Sequence, residues 1–370
     1  MQLSETIKLY PTKQQKEFIL KTMAEYIAIV NGLVSVAVSG TSIAKYTTAD
    51  VPAELPSSLT NQCIRDAKSI VKKHYKKCHA TVLRNRKRVF KTTAPSLPVL
   101  RKPCCYINNQ NFKVTDNHLE FPVLINGKSK RISVAVKMTE RQKNLLSDVK
   151  FGTMRIVMKN NTLVAQIVYE VVEPALKSDG NIMGVDLGIK CLAVSYCSDG
   201  SIRFYGNGRQ NKYMRRHYDY LRKKLQKSKK MKAVSRINNK EQRIMKDIDH
   251  KISHDIVKNA VAHDVKVIKL EQLSNIRSAT RKSRKNNHGM HNWSFYRLAQ
   301  FIEYKSKLAG IAVEYVNPAY TSQKCPVCGE HHHARDRHFE CSCGYQKHRD
   351  VVGAINIHHS TEFVGHRQTA

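Results

Sequence analysis

Three acidic residues stand where they are hard to explain unless they do chemistry. Asp186 interrupts the apolar run Gly184-Val185-Asp186-Leu187-Gly188, and a carboxylate inside a strand bound for a core is costly unless it is paired or holds a metal. Glu271 ends Val265-Lys-Val-Ile-Lys-Leu-Glu, a strand expected to lie beside the first. Asp350 follows a cysteine-rich segment, at the expected start of the last helix. Carboxylates that converge from distant parts of a chain suit two Mg²⁺ ions about 3.5–4 Å apart, which activate water and stabilise the leaving oxygen in phosphodiester hydrolysis. Mg²⁺ keeps several of its waters, so few protein carboxylates suffice. Singly, each has an ordinary reading: a turn at Gly-Val-Asp-Leu-Gly, a solvent-facing strand end, and a helix N-cap at Asp350. Their joint order on successive elements favours catalysis.

The second constellation is sulfur. Of ten cysteines, four fall within 19 residues: Cys325, Cys328, Cys341 and Cys343. Cys325-Pro-Val-Cys328-Gly and Cys341-Ser-Cys343-Gly read as two knuckles of a Cys₄ zinc site, structural in role because four protein ligands leave no position open for water. The spacing of the second knuckle is one residue tighter than usual, and His331, His332 and His333 between the knuckles are alternative ligands.

The third feature is charge. Sixty-four Lys and Arg against 29 Asp and Glu leave a formal charge of +35, an excess whose physical use is to neutralise a polyanion. Basic residues crowd two helical stretches: Lys72, Lys73, Lys76, Lys77, Arg84, Arg86, Lys87 and Arg88 in one, and Arg215, Arg216, Arg222 and Lys223 in the other. A solvated helix face is the plain alternative to phosphate contact. Tyr213, Tyr218 and Tyr220 stand among them, suited to stacking on unpaired bases or, the favoured reading, to core packing. No uninterrupted apolar run nears 18 residues and Met1–Lys8 lacks the plan of a signal peptide, so the sequence reads as cytosolic and bound to nucleic acid rather than to membrane.

The elements that must position these residues follow from periodicity. Residues 3–10 alternate as a strand, Thr12 is a candidate N-cap, and 13–40 have helical spacing. From about 95 to 175 the period is two, with Asn160-Asn161 as a hairpin turn; a small antiparallel barrel is expected, into which the helices are inserted. Residues 175–180 read as a linker. Beyond it come three strands, a basic helical stretch over 209–262 with Tyr213, Tyr220, Leu221, Ile252 and Ile256 available for a buried stripe, a strand, a helix at 294–309, a strand, and a final helix from Asp350. That order is RNase H-like. Residues 278–291 read as a loop, and 360–370 as a tail without an assigned role.

Gly184-Val-Asp-Leu-Gly-Ile-Lys, Lys269-Leu-Glu-Gln-Leu, Tyr320-Thr-Ser-Gln-Lys-Cys-Pro-Val-Cys-Gly and Phe339-Glu-Cys-Ser-Cys-Gly-Tyr-Gln-Lys-His-Arg-Asp-Val resemble the RuvC motifs and zinc ribbon of insertion-sequence-encoded TnpB proteins. These are related to the compact type V CRISPR nucleases. Ile7-Lys-Leu-Tyr-Pro-Thr-Lys-Gln-Gln resembles the opening of that family. The resemblance implies an α+β multidomain protein. A β-barrel wedge domain (1–10 and 95–175) would carry an inserted helical recognition domain (11–94). A RuvC domain (180–320 and 345–370) would carry a zinc-ribbon, target-nucleic-acid-binding insertion (321–344). It implies an RNA-guided DNA endonuclease, cytoplasmic and nucleoid-associated, binding a transposon-derived guide RNA and double-stranded target DNA, monomeric with its RNA although a dimer stays open. Asp186, Glu271 and Asp350 fall on the three catalytic positions, holding two Mg²⁺, with one structural Zn²⁺ on the cysteines. The third motif departs from the usual Asp-Arg-Asp-Val-Asn-Ala-Ala: it reads His348-Arg-Asp-Val-Val-Gly-Ala, which alters contacts around the metal rather than its ligand.

Three other readings compete. A guide-dependent DNA-binding protein without cleavage is disfavoured by the intact carboxylates. A RuvC-fold strand transferase uses the same metals. An actin-like ATPase shares the opening strand but needs a later glycine-rich loop, and the chain has no Gly-Gly.

Overall fold

The computed structural model describes residues 1–86, 93–237, 239–273, 293–334 and 336–364. They fall into two compact units, Met1–Val172 and Glu173–Ala370.

Strand β1 (Gln2–Tyr10) is the centre of the first unit. Its residues 2–8 pair antiparallel with β7 (Thr162–Glu170), and Leu9 and Tyr10 pair with β5 (Lys128–Val136). The result is a seven-stranded antiparallel sheet ordered β2-β6-β7-β1-β5-β4-β3, where β2 is Cys104–Ile107, β3 Lys113–Val114, β4 His118–Ile125 and β6 Phe151–Lys159. Its two edges, β2 and β3, are joined by residues 108–112 alone, so the sheet curls and its edges approach without a ladder between them among the described residues. Asn160 and Asn161 both take positive φ, 48° and 62°, the backbone that a two-residue hairpin needs. Asn126 and Gly127 do the same between β4 and β5.

Helix α1 (Lys13–Val38) starts at Thr12, whose hydroxyl accepts from the Gln15 amide while the Gln15 side chain accepts from the Thr12 amide, a capping box. By length and composition α1 is apolar enough to cross a membrane, although its apolar residues form no unbroken run. Its apolar residues have a partner, however: Ile19, Met23, Tyr26 and Val30 are fully buried in one cluster with Leu59, Cys63 and Ala67 of α2 (Ser57–Arg86) and Leu119, Phe121, Met154 and Ile167 of the sheet. Lys72, Lys73, Lys76 and Lys77 are exposed on α2. Arg84 and Arg86 lie in its last turn, while Lys87, Arg88, the 278–291 segment and 365–370 lie outside the described residues.

The second unit has a five-stranded sheet ordered β10-β9-β8-β11-β12: β8 Asn181–Asp186, β9 Ala193–Cys197, β10 Ile202–Tyr205, β11 Val265–Glu271 and β12 Ala312–Val316. β8, β9 and β10 run antiparallel in turn, and β8, β11 and β12 run parallel, so the strand ending in Glu271 does lie beside the one ending in Asp186. The basic stretch divides into α4 (Gly208–Lys227), α5 (Met231–Ile237) and α6 (Lys240–Ala262), α3 being Glu140–Leu146 of the first unit. Helices α7 (Phe295–Leu308) and α8 (Arg349–His359) follow, with the hairpin β13–β14 (His338–Glu340, Gln346–His348) before α8.

Two expectations on these helices change. Ile252, Ile256 and Tyr218 are buried as a packed stripe requires, but Tyr213 and Tyr220 are 66% and 64% exposed. Glu241 of α6 pairs with Arg215 and Arg222 at 3.6 and 2.8 Å. That clamp turns the face carrying Tyr218 inward, and Tyr213 and Tyr220 lie on the opposite side of a 3.6-residue helix. The same clamp occupies two of the arginines expected to meet phosphate, leaving Arg216 exposed and Lys223 paired with Asp219 at 2.9 Å. The N-cap of α8 is His348, whose Nδ1 accepts from the Asp350 amide at 3.3 Å, rather than Asp350 itself.

Helix α8 lies directly on β8 because Gly184 has no side chain. A Cβ there would sit 2.3 Å from the Ala354 carbonyl oxygen and 2.5 Å from the His358 nitrogen, both backbone atoms that cannot step aside. Gly184→Ala is therefore expected to destabilise the protein by about 3 kcal/mol through forced separation of α8 from the sheet, measured as a drop in denaturation midpoint.

Candidate active site and metal centre

Asp186 and Glu271 end adjacent parallel strands, whose register pairs Val185 with Leu270 immediately before them. Asp350 approaches from above, in the first turn of α8. Gly353 permits this: a Cβ there would meet Asp186 Oδ2 at 3.1 Å. Asp186 and Glu271 keep part of their surface accessible, and Asp350 is 5% exposed. The three carboxylates predicted from sequence are thus brought to one place.

Their electrostatics register the crowding. Asp186 is held well above the usual carboxylate range, first by burial and then by the charges of Glu271 and Asp350, with Arg349 and Arg337 offsetting part of the effect. Burial pushes Glu271 up to about 7, opposed by a hydrogen bond that the Thr321 hydroxyl donates to its Oε1. Asp350 Oδ1 accepts from the Arg337 guanidinium, and Asp350 Oδ2 is buried without a hydrogen-bond partner among the described residues. An unpartnered buried carboxylate oxygen on Asp350, together with the carboxylates of Asp186 and Glu271 whose charges interact, is a donor set that fits hard divalent cations.

Residues that sequence spacing does not single out complete the site. Thr321 is itself held where Asn356 Nδ2 of α8 donates to its carbonyl at 2.6 Å and to that of Lys324 at 2.7 Å. Arg337 sits at the edge of β13, joined to α8 by the hydrogen bond of the Arg349 amide to its carbonyl at 2.8 Å. Lys269 Nζ donates to the carbonyls of His358 and Ser360 at 3.0 and 2.8 Å, a cation at the negative end of α8. Thr321 stands inside a quoted motif, but nothing in its spacing says that it bonds Glu271; Arg337 is one of 64 basic residues until the hairpin folds.

The four sulfurs of Cys325, Cys328, Cys341 and Cys343 lie within 4.8 Å of one another. Cys325–Cys343 and Cys328–Cys341 are 3.7 and 3.3 Å apart, close to the ~3.8 Å edge of a tetrahedron with Zn–S bonds of about 2.3 Å. Gly329 and Gly344 close the two knuckles at φ 79° and 86°, a conformation that a side chain resists. Of the alternative ligands, His332 bonds Glu330 at 3.3 Å and lies near Cys341, while His331 rests edge-on against Tyr320. Cys325 and Cys341 are buried with Phe339 and with Val352 of α8. The residue that departs from the usual asparagine thus packs against the sulfur cluster.

Two outcomes follow. The unfolded Glu271 titrates near 4.5 and the folded one near 7, so its protonated form favours folding: its contribution is fully present below about pH 4.5 and lost as pH rises through 7. Without divalent ions the melting temperature should fall over that window, and Glu271→Gln should flatten the slope in a pH-resolved thermal scan. Replacing Cys341 by Ser should release Phe339 and the Arg337–Asp350 contact, seen as faster amide exchange over 325–350 with the core strands β8 and β11 still protected.

Residues 166–277 match the family described as probable transposase, and residues 295–357 match the Cas12f1-like, TNB domain. A CRISPR-associated endodeoxyribonuclease, Cas12f1 of Sulfoacidibacillus thermotolerans, is 28% identical over 194 residues, spanning 48% of this chain and 44% of that protein. In fold the chain is similar to the cryo-EM structure of a Cas12f1-sgRNA-target DNA complex, with a TM-score of 0.66 at 17% identity over 94% of this chain and 84% of that one. A TnpB-like protein of Methanocaldococcus jannaschii is 32% identical over 257 residues, 65% of this chain and 91% of that protein. With the opening strand, the paired-strand carboxylates and the ribbon all in place, the chain belongs to the TnpB family.

Proposed function

We propose that this protein is a transposon-encoded, RNA-guided DNA endonuclease that cuts through a two-metal RuvC site. The observation that carries the reading is the meeting of Asp186, Glu271 and Asp350 with Asp350 Oδ2 buried and unpartnered. Bound among these oxygens, two Mg²⁺ would activate the attacking water and stabilise the departing oxygen. The chain's own residues prepare the place: Thr321 orients Glu271, Arg337 holds Asp350, and Gly353 lets the helix come close.

The formal charge of +35 supports binding of guide RNA and target DNA, since a protein that delegates sequence recognition to base pairing needs positive, backbone-reading surfaces. Lys72, Lys73, Lys76 and Lys77 on α2 and Arg216 on α4 are exposed for that purpose. In this reading the sheet of the first unit is the wedge, 11–94 the recognition segment, 180–320 and 345–370 the RuvC domain, and 321–344 the zinc-bearing insertion that meets target nucleic acid. In this reading the complex works in the cytosol as one chain with its RNA, a dimer being the alternative.

The test begins with sequencing of the RNA that co-purifies, followed by Mg²⁺-dependent cleavage of a plasmid matching its guide. One structured RNA species is expected, with cutting reduced at least ~10³-fold in Asp186→Ala while RNA recovery is unchanged. A heterogeneous RNA population with guide-independent nicking would overturn the proposal in favour of a strand transferase or general nuclease. Guided binding without cutting by the native protein would leave the DNA-binding reading.

A further inference from the structure

At the far end of the five-stranded sheet from the carboxylates, Cys197, Asp199 and His263 converge. Cys197 pairs with Met183 near the start of β8, whereas Asp186 ends that strand. The sulfur of Cys197, an oxygen of Asp199 and a ring nitrogen of His263 all lie within 4.8 Å of one another. Cys197 is 1% exposed, and His263 Nδ1 is 2.5 Å from Asp199 Oδ2.

The turn that carries two of these groups repeats the second knuckle of the zinc ribbon. Cys341-Ser342-Cys343-Gly344 and Cys197-Ser198-Asp199-Gly200 differ only at the third position. In both, the glycine amide donates to the carbonyl of the first cysteine, at 3.0 Å for Gly344 and 2.9 Å for Gly200. In both, that cysteine's amide donates to the carbonyl four residues on, Tyr345 and Ser201, at 3.0 Å. The glycines sit at φ 86° and 83°. A hairpin turn of this shape is common; a cysteine at its first position and a second ligand at its third, facing a histidine, are not required by it.

We propose that Cys197, Asp199 and His263 form a second transition-metal site, taking Zn²⁺ or Co²⁺. One thiolate, one imidazole and one carboxylate form a borderline donor set that selects these ions over Mg²⁺. Three protein ligands leave the fourth tetrahedral position to water. His263 caps the end of α6, just before β11, and its carbonyl accepts from Asn181 Nδ2 at 2.8 Å. The ion therefore ties the β9–β10 turn to the junction of α6 and β11.

The experiment is a metal count on the full-length protein after equilibrium dialysis against micromolar Zn²⁺ with millimolar Mg²⁺ to keep Zn²⁺ off the carboxylate cluster. Two equivalents are expected in the native chain and one in His263→Gln, a change at a partly exposed position that leaves the sheet core intact. Cys197→Ser should also hold one, and Cys328→Ser/Cys343→Ser should retain the other. A single equivalent in the native chain, or two retained in His263→Gln, would overturn the assignment. Thermal scans supply a second readout: added Zn²⁺ should raise the melting temperature of Cys328→Ser/Cys343→Ser but not of the same chain with His263→Gln added, and equal responses would also overturn it.

Discussion

Everything in the second unit rests on how closely a helix backbone can approach a strand backbone. α8 meets β8 where Gly184 faces the carbonyl of Ala354, and at the preceding residue Gly353 faces the carboxylate of Asp186. Without those two absent side chains Asp350 stands farther from Asp186 and the three carboxylates do not share one field. The cost of burying these carboxylates is visible in the raised pKa values of Asp186 and Glu271, and at Asp186 the charges of Glu271 and Asp350 add to it. Helix capping by His348, the Lys269 ammonium at the opposite end and the Asn356 amide to the ribbon all hold the helix in that costly position.

The ribbon adds a second dependence. Thr321 at its entrance bonds Glu271, and Arg337 at its hairpin bonds Asp350, so two of the three carboxylates take partners from the segment organised by four cysteines. A metal held by the four cysteines would thereby be coupled to the carboxylate cluster through two side chains, with no shared ligand. Val352 explains how the helix tolerates losing a polar residue there: it is fully buried beside Phe339 and the sulfurs, so the contact between helix and ribbon is apolar packing.

The legible part of the fold was the part governed by local chemistry. Turn residues with positive φ, the Thr12 capping box, cysteine spacing and a carboxylate stranded in an apolar strand each declare themselves within a few residues. The exposure of Tyr213 and Tyr220 was not legible, because it depends on Glu241 of another helix choosing Arg215 and Arg222. Nor was the identity of the α8 cap, since histidine rarely takes that place and Asp350 is the better local candidate. Arg337 and Thr321 were hidden for the same reason: their partners are chosen by packing of a hairpin on a helix, and neither carries a distinctive spacing.

The position of β1 also sets a schedule. Strand β1 forms the middle of the first sheet and is synthesised well before its partners, since Gln2 pairs with Glu170 and Leu9 with Val136. At roughly 5–20 residues per second, translation leaves this strand without its β7 partner for on the order of 10–30 s. During that interval α1, apolar enough to resemble a membrane span, lacks the sheet that covers it. Contacts of such long sequence separation fold slowly, and truncation before Val164 leaves the central strand unpaired along seven of its nine residues.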